Sequence, residues 1–170
     1  MHQSWRMWRK LKRNGSALLG LAILFVIVIA AVFAPLLSTH DIFAQDLGNR
    51  LSLPSAEHWF GTDELGRDIY SRLLYGARIT LYIAALTAVI SAPVGLVVGA
   101  VSGYFGGWID TVLMRVTEVF LAFPSLILAL AFVSALGPGI NNAIIAISLT
   151  AWPPIARLAR AETMIIRRSD

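Results

Sequence analysis

Six side chains between Thr39 and Ile69 could do chemistry together: His40, Asp41, His58, Asp63, Glu64 and Asp68 supply the nitrogen and oxygen donors that divalent cations use. Their spacing argues against a metal. No H-x-x-x-H pair and no EF-hand run occurs, so the favoured reading is structural, with Asp63 and Asp68 capping turns and pairing with Arg67 or Arg72. A second candidate is Glu118, an ionisable group inside an apolar stretch, where charge is costly and usually partnered or functional. Arg115 lies three residues before it, which favours a local ion pair over a role in a translocation path. Ser125 and Thr150 join Glu118 as path-lining candidates by position and polarity, although each serves equally well in helix packing. With no cysteine there is no thiolate nucleophile or thiolate metal site. Nucleophile elbow, phosphate loop and H-E-x-x-H are also missing, so the sequence offers no catalytic constellation and no cofactor site.

The elements that must position these groups are set by composition. Of 170 residues, 57% are hydrophobic and 14% charged, against about 45–50% and about 25% in soluble domains, so water is not the main solvent. Residues 1–16 form a basic arm with Arg6, Arg9, Lys10, Lys12 and Arg13 and no acid, the pattern of a segment kept in the cytoplasm; Trp5 and Trp8 suit a headgroup belt. Nucleic-acid binding is disfavoured, because an apolar run begins within a few residues. That run, 17–37, is charge-free and long enough to span a bilayer. It exceeds a signal-peptide core, and Pro35 follows the plausible cleavage site at Ala34, so an uncleaved helix is expected.

Residues 38–78 are slightly acidic, which places them on the far side of the membrane. Gly61 and Gly66 bracket a tight polar turn, after which Ile69, Leu73, Leu74 and Ala77 recur at helical spacing. Asp68 and Arg72 stand four apart, so a short amphipathic helix bearing that pair should enter the membrane. A second span follows from Ile79 to about Tyr104. Within it Ser91, Gly95, Gly99 and Gly103 repeat every fourth residue as a small-residue packing seam, and Pro93 should bend the helix. After a Gly106-Gly107 turn, a third span from about Val112 to Leu136 should kink at Pro124. A fourth run, Ile140 to Ala156, should kink or break at Trp152-Pro153-Pro154 before Arg157, Arg160, Arg167 and Arg168 return the chain to the cytoplasmic side. The expected fold is an all-α polytopic membrane helical bundle of about four transmembrane helices.

The run Gly61-Thr62-Asp63-Glu64-Leu65-Gly66-Arg67-Asp68, followed by an arginine-bearing apolar helix, closely resembles the second permease subunit of dipeptide, oligopeptide and nickel ABC importers. The resemblance continues through Gly103 to Asp110, Met114 to Pro124 and Trp152 to Arg157, and so covers essentially the whole chain. It implies half of a heterodimeric channel: a second homologous permease subunit, two cytoplasmic ATPases that bind the ATP, and an extracytoplasmic substrate-binding protein. It implies a structural role for Gly61, Thr62, Asp63, Gly66, Arg67 and Asp68. Members of that family continue with an E-A-A-x-x-x-G loop that seats the ATPase and then further helices, so residues 79–170 correspond to the N-terminal part of the transmembrane domain, ending before that loop. A chain of this extent is expected to insert without supporting ATP-driven transport. A small self-assembling channel or secondary transporter, or a non-functional fragment, is the alternative, and no residue names a substrate.

Overall fold

The computed structural model describes residues 14–169; the basic arm with Trp5 and Trp8 lies outside the described residues. The chain divides into two compact units, Met1–Tyr82 and Ile83–Asp170.

In the first unit, helix α1 spans Gly15–Val32. Asn14 caps it, its side chain accepting from the Ala17 N–H at 3.4 Å and from the Ser16 hydroxyl at 2.7 Å. The helix is apolar all round and its large side chains stand open, Leu19 at 64% and Phe25 at 65% exposure. Such a surface is stable only in an apolar solvent, and 18 residues cover about 27 Å, close to the hydrocarbon thickness. The run expected to continue to residue 37 is interrupted at Phe33 (φ −89°, ψ 11°), and a short helix α2, Ala34–Leu37, follows. Pro35 is the cause: it has no N–H to give the Ala31 carbonyl, and its ring would strike that carbonyl in an unbroken helix.

From Ser38 to Asp68 the described backbone holds a single 3-10 turn, Leu47–Asn49, started by Asp46, whose carboxylate accepts the Gly48 N–H at 3.0 Å. Helix α3 then runs without a break over Ile69–Phe105, 37 residues or about 55 Å. The amphipathic segment and the second span are therefore one helix, and Pro93 lies inside it.

The second unit contains the rest of α3 and three more helices: α4, Gly107–Ala122; α5, Ser125–Leu136; and α6, Ile140–Ser169. Gly106 and Gly107 make the α3–α4 turn at φ 66° and 56°, a conformation that glycine alone adopts cheaply. Where one kinked third span was expected, α4 and α5 meet at 89°. Pro124 forces Phe123 out of the helical region to φ −97°, ψ 142°, and the sharp bend follows.

At Pro153-Pro154 the expected break does not occur, and α6 is continuous through both prolines. Packing surrounds the first of the two: Pro153 is fully buried, Trp152 and Ala156 are buried, and the Trp152 ring meets Phe120 edge-on at 5.3 Å, while Pro154 is exposed. By length and composition α1 and α3 can each cross a membrane, and the bent α4–α5 pair makes a third span if counted as one. The fourth apolar run lies in α6, but Asn141, Asn142 and the two prolines dilute it below that standard. Among the described residues there is no strand, so the fold is an all-α membrane bundle. Two of its buried hydroxyls turn back on their own helices, Thr117 to Leu113 O at 2.8 Å and Ser148 to Ile144 O at 2.7 Å, a pairing that suits helices in lipid.

Candidate functional site

In the first unit, residues 61–68 close into a polar knot, bonded within itself and to the loop that precedes it. Asp63 stands at its centre: Oδ1 accepts the N–H groups of Leu65 (2.9 Å) and Arg67 (3.0 Å), while Oδ2 takes the Arg67 Nε at 2.8 Å. Arg72 reaches the same oxygen at 3.0 Å. Burial pushes the Asp63 carboxyl up, but the Arg67 and Leu65 N–H groups and the Arg67 guanidinium outweigh it and hold it below the usual carboxylate range. Thr62 donates its hydroxyl to Asn49 O and accepts the Ser52 N–H at 2.9 Å, tying the knot to the preceding loop. Gly61 and Gly66 sit at φ 74° and 73°. A Cβ on Gly66 would lie 1.7 Å from Asp46 O, and one on Gly61 2.3 Å from Ser52 O, so both glycines are required by close backbone approach as well as by φ.

Asp68 does not pair with Arg72, contrary to the i,i+4 expectation; Arg72 goes to Asp63 instead. The buried Asp68 carboxylate caps α3 by accepting the Ser71 N–H at 2.8 Å and takes His58 Nδ1 at 3.0 Å on its other oxygen. Burial raises its pKa, but the Ser71 N–H and hydroxyl, His58 and His40 outweigh burial, and the net direction is down. The Ser71 hydroxyl, itself buried, accepts the N–H groups of Thr39 (3.2 Å) and His40 (3.1 Å). Asp41 only caps its own turn, accepting the Phe43 N–H at 2.9 Å, and Glu64 is exposed.

In the second unit α3 lies directly against α6. A Cβ added to Gly95 would come within 2.8 Å of Trp152 O, to Gly99 within 2.3 Å of Ala156 O, and to Gly103 within 2.8 Å of Arg160 O. Three glycines four apart thus bring two backbones together, the closest approach that small residues allow. At the end of this seam stands a feature the sequence reading missed. Arg160 on α6 grips Asp110 on α4 with both prongs, Nε at 2.5 Å and NH2 at 2.6 Å, and the buried Ser102 of α3 donates its hydroxyl to the same carboxylate. The pair is a bidentate fork joining three helices. Only a signal at long range could have revealed it, because the partners are 50 residues apart.

Beside the fork an open groove of about 610 Å³ is lined by Met114, Thr117, Glu118, Pro154, Arg157 and Arg160 among others. Glu118 faces it, exposed, and pairs with Arg115 at 3.4 Å. Ser125 opens α5 and is exposed, and the half-buried Thr150 donates to Ile147 O at 2.9 Å; neither lines the groove. The chemistry available here is binding, orientation and charge pairing between helices.

Two family models match this chain: the N-terminal transmembrane domain of oligopeptide transport permease C over residues 3–54, and the binding-protein-dependent transport system inner membrane component over residues 95–170. The dipeptide transport system permease protein DppC of Bacillus subtilis (strain 168) is 42% identical over 163 residues, 96% of this chain and 51% of its own length. The oligopeptide transport system permease protein OppC of the same strain is 35% identical over 99% of this chain and 56% of its own. The glutathione transport system permease protein GsiD of Escherichia coli O6:K15:H31 (strain 536 / UPEC) is 38% identical over 95% and 54%. The chain spans about half the length of the curated relatives it matches. With apolar helices of spanning length and family matches over both ends of the chain, this multi-pass membrane protein belongs to the family of binding-protein-dependent transport system inner membrane components.

Proposed function

We propose that this chain supplies part of one half of the translocation path of an ATP-driven importer for peptides or related small solutes. The observation that carries this reading is the 42% identity to a dipeptide permease across 96% of the chain, through both the polar knot and the helix seam. In this reading the chain has no ATPase of its own: hydrolysis occurs on two cytoplasmic partner subunits, a second homologous permease completes the path, and an extracytoplasmic binding protein delivers the solute. The N-terminus lies in the cytoplasm, supported by the five cationic residues before α1, and residues 38–68 face the opposite side, supported by their acidic balance. The Arg160–Asp110 fork and the Gly95–Gly99–Gly103 seam hold α6 rigidly, so a displacement imposed at its Ser169 end passes to α3 and α4 as a unit.

The test is a chimera. Residues 1–170 replace the corresponding half of the Bacillus subtilis dipeptide permease, which is co-expressed with its usual partners, and uptake of labelled dipeptide is followed with and without ATP depletion. ATP-dependent uptake above a permease-null control is expected. A chimera that inserts at wild-type abundance yet transports nothing, or that leaks solute independently of ATP, would sink the proposal.

A further inference from the structure

The polar segment of the first unit holds a set of donors that the permease role does not use. His40, Glu57 and His58 each present one ligand atom, and all three atoms lie within 4.8 Å of one another. The His40 and His58 rings are 4.6 Å apart and tilted by 34°. Two imidazoles and a carboxylate are the donor set of zinc-type sites, which keep a fourth position for water.

Two features hold the histidines in place, and a third leaves Glu57 able to join them. First, both histidines have anchored backbones. The His40 N–H donates to Ser71 Oγ at 3.1 Å and its carbonyl accepts the Ser38 hydroxyl at 2.7 Å. The His58 N–H donates to Ser55 Oγ at 3.0 Å, and its carbonyl accepts the N–H groups of Ser55 (2.8 Å) and Gly61 (2.9 Å). Second, His58 Nδ1 lies 3.0 Å from the buried Asp68 carboxylate. That contact occupies Nδ1 and leaves Nε2 to face a ligand; a carboxylate behind a histidine is the usual support of a metal ligand. Third, Glu57 is exposed, so its side chain can close on the imidazoles without moving packed atoms. Zinc–ligand bonds of ~2.0–2.1 Å put tetrahedral donors ~3.3 Å apart, so the three ligand atoms, now within 4.8 Å, must draw together around the ion.

We propose that His40, Glu57 and His58 bind one zinc-type divalent cation, with Asp68 as the carboxylate that orients His58. The ion would clamp the turn at Glu57-His58 to the chain that leaves α2, adding a cross-link to a segment otherwise ordered by hydrogen bonds. The inference does not depend on what the chain transports.

The test uses the full chain in lipid nanodiscs, purified with a tag free of histidine, dialysed against Zn2+ and assayed for metal by mass spectrometry. Bound Co2+ serves as a visible-absorption probe of the ligand field. We expect one Zn2+ per chain, loss of binding in His40→Ala, weakening of at least about tenfold in Glu57→Gln, and weakening of roughly 10–100-fold in Asp68→Asn. His2→Ala and Glu64→Gln should leave binding unchanged. Because Glu57 is exposed, Glu57→Gln leaves the fold intact and keeps the test decisive even if the histidine variant misfolds. Failure of the parent chain to retain Zn2+, or retention undiminished in both Glu57→Gln and His40→Ala, overturns the proposal.

Discussion

The two units achieve order by opposite means. The knot of residues 61–68 is held by saturated polar bonding over short sequence distances, with Asp63 alone accepting two N–H groups and two guanidinium groups. The α3–α6 seam has almost no polar bonding and is held by shape, with glycines admitting a neighbouring backbone and one charged fork at the end. Solvent explains the contrast. In a polar segment water competes for every donor, so a knot persists only if each group finds a better-placed partner than water. In lipid, burying apolar surface gives little drive for association, so close contact and rare strong polar links decide which helices meet.

Glycine substitutions test this contrast most severely. Gly66→Ala places a Cβ 1.7 Å from a backbone oxygen at a left-handed φ, and Gly99→Leu drives a large side chain into Ala156 O. Both should cost several kcal/mol, as strain at positive φ and overpacking do together. Limited proteolysis should distinguish them: Gly66→Ala exposes cleavage sites between Ser38 and Asp68, and Gly99→Leu loosens α6 while leaving the knot protected. Equal damage in both regions from either variant would show that the two do not order independently.

The fork offers a smaller, sharper test. Removing one partner, Arg160→Met, leaves Asp110 with only Ser102 and should cost about 2 kcal/mol. The double replacement Asp110→Leu with Arg160→Met should be milder than the sum of the singles, since no charge is then left without its partner. Unfolding in mixed detergent micelles measures the cycle; strict additivity would mean that the pair contributes shape alone.

Acid provides the mildest perturbation. Asp63 has a folded-state pKa below its unfolded value, so its contribution is fully present above the unfolded carboxylate pKa of about 4 and is lost as pH falls through the lowered folded value. Proteolytic protection of residues 38–68 should therefore be flat from pH 7 to about 4 and decline below it. Asp63→Asn should start lower and flatten the acid decline.

Much of this was legible in order along the chain. Helix locations followed from apolar runs, the role of Gly61 and Gly66 from turn chemistry, and the face carrying Gly95, Gly99 and Gly103 from a period of four. Local rules failed where a competing partner was better placed: Arg72 chose Asp63 over Asp68, because Asp68 was already committed to capping α3 and to His58. At the prolines they gave the place of a bend but not its size. The kink expected at Pro124 is an 89° bend, while α6 runs through Pro153 and Pro154 without a break.

By itself the sequence determined the solvent, the helical class and the chemistry of the knot, because those depend on composition and on neighbours a few residues apart. Only the tertiary structure decided that Arg160 meets Asp110 across 50 residues and that His40 faces His58, because such pairings are set by how helices and loops return on one another. Spacing along the chain carries no record of that return; backbone approach through the glycines and the anchoring serines does.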